Sequence, residues 1–386
     1  MRTYLVLLRE PLNWLLLAMP LAAVLEAQGA SDLWVFIASA VAIVPLAGLM
    51  GRATESLSER LGPSVGALLN ATFGNAAELI IAMVALSHGP EMYPLVKASI
   101  TGSIIGNILL VLGGSMLAGG LRHSRQRFNR TATGNAAVML VMACIGLTMP
   151  TLHYYLFQLS EATAPGGMHE VEMLSEEIAV ILAIVYCLNL VFSLVTHRDM
   201  FRATVPVDEQ GAIHSEAHEE PEFTIPAALV LLLIATAAVT WMSHLLVGSV
   251  EGAAATAGMN EVFVGVIIVA IIGNAAEHST AVSAAWKGNM DLAVSIATGS
   301  SIQIALLVVP ILVLFGALTG DGPTLDLHFT LMEIVVMLLS VGAASLVCLD
   351  GESNWLEGVM LLAVYAIMAL AFFHLPPLLL PVRIHG

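Results

Sequence analysis

The chain has 386 residues, of which 58% are hydrophobic and only 11% are charged. Soluble globular proteins carry about 25% charged residues, so this composition cannot cover a water-facing surface and excludes a soluble domain. The net charge of −16 comes from acids concentrated in a few loops, and we expect no nucleic-acid partner. The sequence therefore predicts an all-α polytopic membrane protein embedded in the lipid bilayer.

The predicted elements are long apolar segments, counted at about 20 residues for each transmembrane helix. The chain start, Met1 to Ala30, mimics a signal peptide because arginines precede an apolar run and small residues. The run itself is long enough for a retained helix, which is the interpretation we favour. In chain order the sequence predicts eleven transmembrane helices, at approximately 12–28, 33–51, 65–87, 95–119, 133–152, 175–196, 224–247, 261–286, 291–317, 328–348 and 356–380.

Lysine and arginine residues are distributed unevenly between the two ends of these helices. In the eleven-helix arrangement 11 of the 13 lie on the side of the N-terminus, and only Lys97 and Arg383 lie on the other. Cytoplasmic loops carry the excess of basic residues, so the N-terminus is predicted to be cytoplasmic and the C-terminus extracytoplasmic. Short loops and a compact length favour a prokaryotic protein of the plasma (bacterial inner) membrane.

The pentapeptide Gly-Asn-Ala-Ala-Glu occurs at 74–78 and again 199 positions later, at 273–277. Thr-Gly-Ser also recurs, at 101–103 and 298–300. These matches predict that helices 2–6 and 7–11 are two copies of one five-helix unit. Because five is odd, the copies enter the membrane from opposite sides. Inverted repeats of this kind are typical of secondary transporters, whose ion sites lie where the two copies meet.

The repeat divides the chain into four parts. We predict an accessory first helix at 1–30, a first five-helix repeat at 31–196, a cytoplasmic linker at 197–223 and a second five-helix repeat at 224–386. The linker is rich in Glu and His. A solvated flexible connection is favoured, and a regulatory cation-sensing role is the alternative.

Each copy of the pentapeptide places one carboxylate, Glu78 or Glu277, inside an apolar segment. A charged side chain at that depth costs at least about 2.5–3.5 kcal/mol, so an intramembrane glutamate indicates a functional site. Asn75 and Asn274 precede the glutamates by three residues, which on a continuous helix puts each pair on one face. Antiparallel helices across a pseudo-twofold axis bring both carboxylates to one point.

The following helix of each copy adds further polar candidates. Ser103 and Asn107 are spaced i,i+4, and Ser300 and Gln303 are spaced i,i+3, so each pair shares a helix face. For a single hydroxyl, packing or a bond to its own turn is an equally good interpretation. The amides are the stronger candidates, because an unpaired buried amide is costlier.

Two carboxylates with amide and hydroxyl oxygens suit a hard divalent cation, and Ca²⁺ takes 6–8 oxygen ligands in irregular geometry. When the cation leaves, two like charges remain in a low-dielectric site and are relieved by binding protons. Cation and proton then compete for Glu78 and Glu277, which is the coupling of an antiporter. The sequence has no phosphate-binding glycine loop or aspartyl-phosphate motif, so we expect neither ATP-driven pumping nor a cofactor.

The duplicated pentapeptide resembles the signature of the cation/proton exchangers, the CAX family of the calcium/cation antiporter superfamily. The resemblance covers helices 2–11 and extends to flanking stretches: Gly51-Arg52-Ala53-Thr54-Glu55, Leu69-Asn70-Ala71-Thr72-Phe73, Lys97-Ala98-Ser99-Ile100-Thr101-Gly102-Ser103 and Ser300-Ser301-Ile302-Gln303. It implies a Ca²⁺/H⁺ antiporter of ten core helices plus one accessory helix, which exports Ca²⁺ from the cytoplasm by alternating access.

The resemblance also implies roles for individual residues. Glu78 and Glu277 are implied as essential cation and proton sites, with Asn75 and Asn274 as supporting ligands. Ser300 and Gln303 are implied as coordinating groups. The second copy lacks the polar residues that Asn70 and Thr72 supply in the first, so the resemblance does not fix its full ligand set.

Other functions are compatible with parts of this pattern. The nearest alternative is another ion pair on the same scaffold: Na⁺ or K⁺ against H⁺, or Na⁺ against Ca²⁺. A passive channel is disfavoured because a channel must not hold its ion tightly. An intramembrane hydrolase, the enzyme alternative, would need a nucleophile with a base or an open metal site, and the predicted helices contain no such pattern. A homo-oligomer is compatible with the sequence.

Overall fold

The computed structural model describes nearly the whole chain, and almost every described residue is helical. The described residues are 11–61, 63–159, 167–197, 222–319 and 324–375. Most of the predicted linker (198–221) lies outside the described residues, as do the chain ends at 1–10 and 376–386.

The first half of the chain starts with a 3-10 turn at Pro11–Leu17 and continues as seven helices joined by short connections. They are α1 (Ala18–Ala27), α2 (Asp32–Leu61), α3 (Pro63–Phe73), α4 (Ala76–Ser87), α5 (Pro90–Arg122), α6 (Arg130–Leu159) and α7 (Gly167–Val191).

The second half has six helices. They are α8 (Ile225–Ala257), α9 (Glu261–Gly273), α10 (Ala275–Trp286), α11 (Met290–Leu318), α12 (Leu331–Val347) and α13 (Trp355–Phe373).

Polar residues in the connections fix where several helices of the second half begin. The side chains of Asn260 and Asn289 accept hydrogen bonds from the first-turn backbone N–H groups of α9 and α11. Thr330 and Asn354 begin α12 and α13 with reciprocal capping boxes. Gly258 ends α8 in the left-handed conformation, with φ of 67°, which a glycine adopts without steric cost.

Seven described helices are long and apolar enough to cross a membrane: α2, α5, α6, α7, α8, α11 and α13. The helices α9 and α10 form an eighth candidate if the pair, bent by 61°, is one span. Shorter apolar helices lie at α1, α4 and α12. Helix covers most of the described part of every predicted range, but the length criterion alone gives seven or eight spans within the described residues. A mostly helical membrane protein is confirmed.

Large apolar side chains are exposed along the outward faces of α7 and α8. They include Ile181, Ile184 and Leu188 on α7, and Leu233 and Ile234 on α8. Soluble monomers rarely expose continuous apolar surface of this extent, so these faces fit contact with lipid.

The two halves are packed into each other. The helix α2 packs along α8, and the last part of α5 packs along α13. Two glycines allow a close approach between α5 and α9. A Cβ on Gly102 would clash with the backbone oxygen of Val266, and one on Gly265 would lie 2.5 Å from the Cβ of Ala98. Small residues at helix interfaces let backbones touch, and here they bring α5 and α9 together at the level of the site.

A two-stranded antiparallel pairing joins loops of the two halves beyond the helix ends. Strand β1 (Gln126–Arg127) follows α5, and strand β2 (Glu352–Ser353) precedes α13. Arg125 and Arg127 both form ion pairs with Glu352. The same end of the molecule is further tied by the Gln126 side chain, which donates to the backbone oxygen of Ala285 on α10 at 3.1 Å.

Candidate functional site

Both copies of the pentapeptide lie where a helix is broken. The backbone leaves the helical conformation at Asn75, between α3 and α4, and at Asn274, between α9 and α10. Each asparagine occupies the N-cap position, directly before the first residue of the following helix. Glu78 and Glu277 are the third residues of α4 and α10. From the sequence, each asparagine shares a helix face with its glutamate if the helix is continuous, and Gly74 or Gly273 allows a helix irregularity. The structure has such an irregularity, because each helix is broken at the asparagine that follows the glycine. The start of a helix favours a negative charge, so both carboxylates lie at a favourable helix end.

Each motif asparagine makes side-chain hydrogen bonds to the opposite half of the chain, and Asn274 Nδ2 also donates to the backbone oxygen of Ala270 in its own half at 2.8 Å. Asn75 Nδ2 donates to Gln303 Oε1 at 2.5 Å, and Asn75 Oδ1 accepts from Ser300 Oγ at 2.7 Å. The second half mirrors this, because Asn274 Nδ2 donates to Ser103 Oγ at 2.9 Å. Neither asparagine side chain caps its own helix. Their amides are therefore used to hold the two halves together.

Asn107 connects the two parts of this network. Its amide nitrogen donates to Ser300 Oγ at 2.9 Å and to Asn274 Oδ1 at 3.0 Å, again across the halves. Its oxygen Oδ1 is buried and has no hydrogen-bond partner among the described residues. All six predicted amide and hydroxyl residues therefore form one chain of hydrogen bonds, in the order Gln303, Asn75, Ser300, Asn107, Asn274 and Ser103.

The two glutamates adjoin this network and carry the remaining unpaired oxygens. Both carboxylate oxygens of Glu78 are buried without a hydrogen-bond partner within the described residues, and so is Oε2 of Glu277. Ser300 lies close to Glu277, and the charge of Glu277 acts on Glu78. With Asn107 Oδ1, the site has four buried oxygen acceptors that no described donor satisfies. Unpaired buried acceptors are costly, so this arrangement calls for a cation or a proton.

The glycine of each motif faces a polar side chain of the opposite half. A Cβ on Gly273 would lie 3.1 Å from Cγ of Glu78, and a Cβ on Gly74 would lie 3.3 Å from Oε1 of Gln303. A methyl group at Gly273 would press directly on the chain that carries the carboxylate. The glycines therefore leave room for the site as well as permitting the helix breaks.

An open cavity of about 550 Å³ runs along one face of α10 and reaches the first turn that carries Glu277. The cavity is lined by Ala275, His278, Ser279, Val282, Ser283 and Trp286. His278, which follows Glu277 in the chain, lines this cavity, and its Nε2 is buried with no hydrogen-bond partner among the described residues.

Glu333 makes its hydrogen bonds locally, outside the network of the motif asparagines. It is buried, accepts a hydrogen bond from Thr101 Oγ1 at 3.1 Å and forms the capping box of α12 with Thr330. Close by is an ion pair that the sequence analysis did not predict, between Lys97 on α5 and Asp326 in the segment before α12. Lys97 also donates to the backbone oxygen of His328 at 3.1 Å.

The donor set of the site is made of oxygen. Among the described residues no group of three His, Cys, Asp or Glu side chains could hold a metal ion. The site instead combines two carboxylates with amide and hydroxyl oxygens. Such a set suits a hard cation such as Ca²⁺ or Na⁺ and is unsuited to softer metals that require imidazole or thiolate.

Comparison with known proteins identifies the family of the chain. The model of the sodium/calcium exchanger protein family matches residues 31–195 and 227–374. A Ca(2+)/H(+) antiporter of Synechocystis sp. is 43% identical, covering 94% of this chain and 97% of the relative. The Ca(2+)/H(+) antiporter ChaA of Bacillus subtilis is 42% identical, covering 88% of this chain and 91% of the relative.

Solved structures give the same answer for the fold. Native YfkE is 37% identical with a TM-score of 0.76, covering 94% of this chain and 100% of that chain. An H+/Ca2+ exchanger CAX is 15% identical with a TM-score of 0.62, covering 94% of this chain and 91% of that chain, which shows a common fold. Broken helices with a duplicated motif, and family matches over both halves, together establish that the chain belongs to the sodium/calcium exchanger protein family.

Proposed function

We propose that this chain is a secondary active Ca²⁺/H⁺ antiporter that exports Ca²⁺ from the cytoplasm by alternating access. The observation that carries the proposal is the group of buried, unpaired oxygens on Glu78, Glu277 and Asn107, held together by hydrogen bonds across the two halves. The relatives named Ca(2+)/H(+) antiporter, at 43% and 42% identity over most of the chain, support the choice of ions.

The exchange follows from the needs of these oxygens. Bound Ca²⁺ would take ligands from both glutamates, with Asn75, Asn274, Ser103, Asn107, Ser300 and Gln303 as ligands or as supports of ligands. After the ion leaves, two carboxylates are buried close together without donors, and binding protons removes their mutual repulsion. A single set of oxygens thus holds Ca²⁺ or protons in turn, with no further cofactor.

The architecture that we propose has eleven transmembrane helices: one accessory helix and two inverted five-helix repeats. The first repeat spans 31–196 and the second 224–386, with an accessory part at 1–30 and a cytoplasmic linker at 197–223. Two features support this division. The family matches fall at 31–195 and 227–374, inside the two repeats. In addition, each repeat has a helix break at the asparagine of its pentapeptide.

The proposed orientation places the N-terminus in the cytoplasm of a plasma membrane, which puts Trp286 at the cytoplasmic end of α10. The open cavity along α10 then extends from its cytoplasmic end to Ala275 and His278, the neighbours of Glu277 in the chain. In this conformation Ca²⁺ would enter from inside the cell, and release on the far side requires a rearrangement that closes this cavity.

A second ion pairing remains as the alternative, because the family model is that of sodium/calcium exchangers. The same carboxylates would then bind Na⁺ in place of protons. The two functions differ in which ion gradient drives Ca²⁺ movement.

Transport in proteoliposomes tests the proposal. With a pH gradient and no sodium, we expect Ca²⁺ uptake by the parent protein and its loss in Glu78→Gln and in Glu277→Gln. The matched control is Glu357→Gln, because Glu357 is also the third residue of its helix but lies in a capping box away from the site. Uptake that requires a sodium gradient would replace protons by Na⁺, and uptake unaffected by either glutamine substitution would remove the site assignment.

A further inference from the structure

Two histidine rings from different halves of the chain face each other away from the carboxylate site. His88 directly follows α4, the helix that carries Glu78, and His244 lies on α8, which packs against α4. Their ring centroids are 5.5 Å apart with an angle of 46° between the planes. Both residues are exposed on the protein surface.

A backbone hydrogen bond fixes the tautomer of His88. The ring nitrogen Nδ1 lies 2.8 Å from the backbone oxygen of Val84. A carbonyl oxygen only accepts, so Nδ1 carries the proton, and the neutral ring has its free lone pair on Nε2. Histidines that bind metals almost always donate their other N–H in this way, to a backbone carbonyl or a carboxylate.

The separation of the rings fits two ligands on one metal ion. With Zn–N bonds of about 2.1 Å, an imidazole radius of about 1.2 Å and a tetrahedral angle, two bound rings have centres about 5.4 Å apart. The observed centroid distance is 5.5 Å. Directly stacked rings would lie closer and parallel, whereas these planes are tilted.

We propose that His88 and His244 form a two-histidine site for a borderline divalent metal ion such as Zn²⁺ or Ni²⁺, separate from the Ca²⁺ and proton site. Imidazole suits these metals, while hard Ca²⁺ prefers oxygen ligands, so the two sites select different ions. Because no third His, Cys, Asp or Glu joins the pair among the described residues, water completes the coordination.

A metal at this position bridges α4 and α8 and therefore joins the first half to the second. Binding to the folded protein alone raises its stability by mass action. Zn²⁺ should consequently raise the thermal unfolding midpoint of the parent protein, and this rise should depend on both rings.

The experiment measures Zn²⁺ binding by calorimetry and by thermal unfolding in a Glu78→Gln, Glu277→Gln background, which removes the carboxylate site. We expect His88→Gln and His244→Gln each to abolish one bound Zn²⁺ or to weaken its binding at least tenfold, and to abolish the Zn²⁺-dependent rise in the midpoint. His153→Gln is the matched control, since His153 is a partly exposed helical histidine elsewhere.

The outcomes separate a metal site from simple packing of two rings. Loss of the same single Zn²⁺ in both variants, but not in the control, supports the site. Unchanged Zn²⁺ binding in either variant overturns it. The exposed His244 gives a test that does not disturb the backbone bond of His88, and the result is independent of whether the chain exchanges Ca²⁺ for protons or for sodium.

Discussion

The sharpest test of the site is a single methyl group placed at Gly273. The structure puts an alanine Cβ there 3.1 Å from Cγ of Glu78, in the opposite half of the chain. Gly299→Ala is the matched control, because a Cβ at Gly299 on α11 meets no heavy atom within 4 Å. Neither glycine has a positive φ, so alanine is tolerated by the backbone at both positions.

The size of the effect follows from the contact distance. Carbon atoms pack best at about 3.5–4.0 Å, so the methyl group at position 273 is roughly 0.5 Å too close to Glu78. Overpacking of this degree costs about 1–3 kcal/mol. If Glu78 relieves the strain by leaving its ligating position, Ca²⁺ binding weakens by about 5- to 150-fold. At Gly299 the expected effect is a slight gain in stability, since alanine favours helix over glycine by up to about 1 kcal/mol.

The assay is the Ca²⁺ concentration dependence of proton-driven uptake in proteoliposomes, with thermal unfolding of each variant as a check on folding. We expect Gly273→Ala to require much more Ca²⁺ for half-maximal uptake, and Gly299→Ala to match the parent. Equal Ca²⁺ dependence in the two variants would mean that Glu78 is not held against α9 at the site, and the reasoning from the cross-half geometry would fail.

Three further predictions concern the polar contacts. Asn107→Leu removes two buried hydrogen bonds across the halves. It should lower the free energy of unfolding by about 1–3 kcal/mol and weaken Ca²⁺ binding. The control is Ser115→Ala, which removes a buried hydroxyl that has no hydrogen-bond partner among the described residues. Lys97→Gln leaves the buried Asp326 carboxylate without its ion-pair partner and should lower the free energy of unfolding by about 3–5 kcal/mol. Adding Asp326→Asn should restore part of this loss. Burial, and then the charge of Lys97, lower the pKa of His328 below its usual value, against the opposing effect of Asp326. The unfolded chain then binds more protons, so stability should fall as the pH drops below about 6.5, more steeply than in His328→Gln.

The sequence predicted the site to an unusual degree because its strongest signal is repeated. A charged residue inside an apolar segment is expensive wherever it occurs, so Glu78 and Glu277 stand out without any structure. The polar partners on the next helices followed from i,i+3 and i,i+4 spacing, and the structure joins all six of them in one network. Helix positions followed from apolar length in the same way.

The sequence alone did not predict contacts between distant segments. Lys97 and Asp326 pair across 229 positions, and His88 meets His244 from another half of the chain. Periodicity describes one face of one helix and contains no information on which face it meets. The helix breaks were partly predictable, because a glycine before Asn75 permits a break but does not require one. The hydrogen bonds that Asn75 makes with Gln303 and Ser300 stabilise the broken conformation.

The two halves are equivalent in their serines but not in their amides, and this difference explains how one site is built from two imperfect copies. Aligned on Thr-Gly-Ser, Ser103 corresponds to Ser300, but Asn107 corresponds to Ile304 and Gln303 corresponds to Gly106. Each motif asparagine nevertheless bonds one serine and one amide of the opposite half.

The helices lose α-helical regularity at this point in both halves, with π-helical segments at Gly106–Val111 and Ile304–Val308. Gln303 and Asn107 therefore bond the two motif asparagines from positions that do not correspond in the repeats. The network joins the halves beside the two glutamates without strict symmetry. Of the four buried site oxygens without a hydrogen-bond partner among the described residues, three belong to the first repeat, on Glu78 and Asn107, and one belongs to Glu277 in the second. The two carboxylates therefore occupy unequal surroundings.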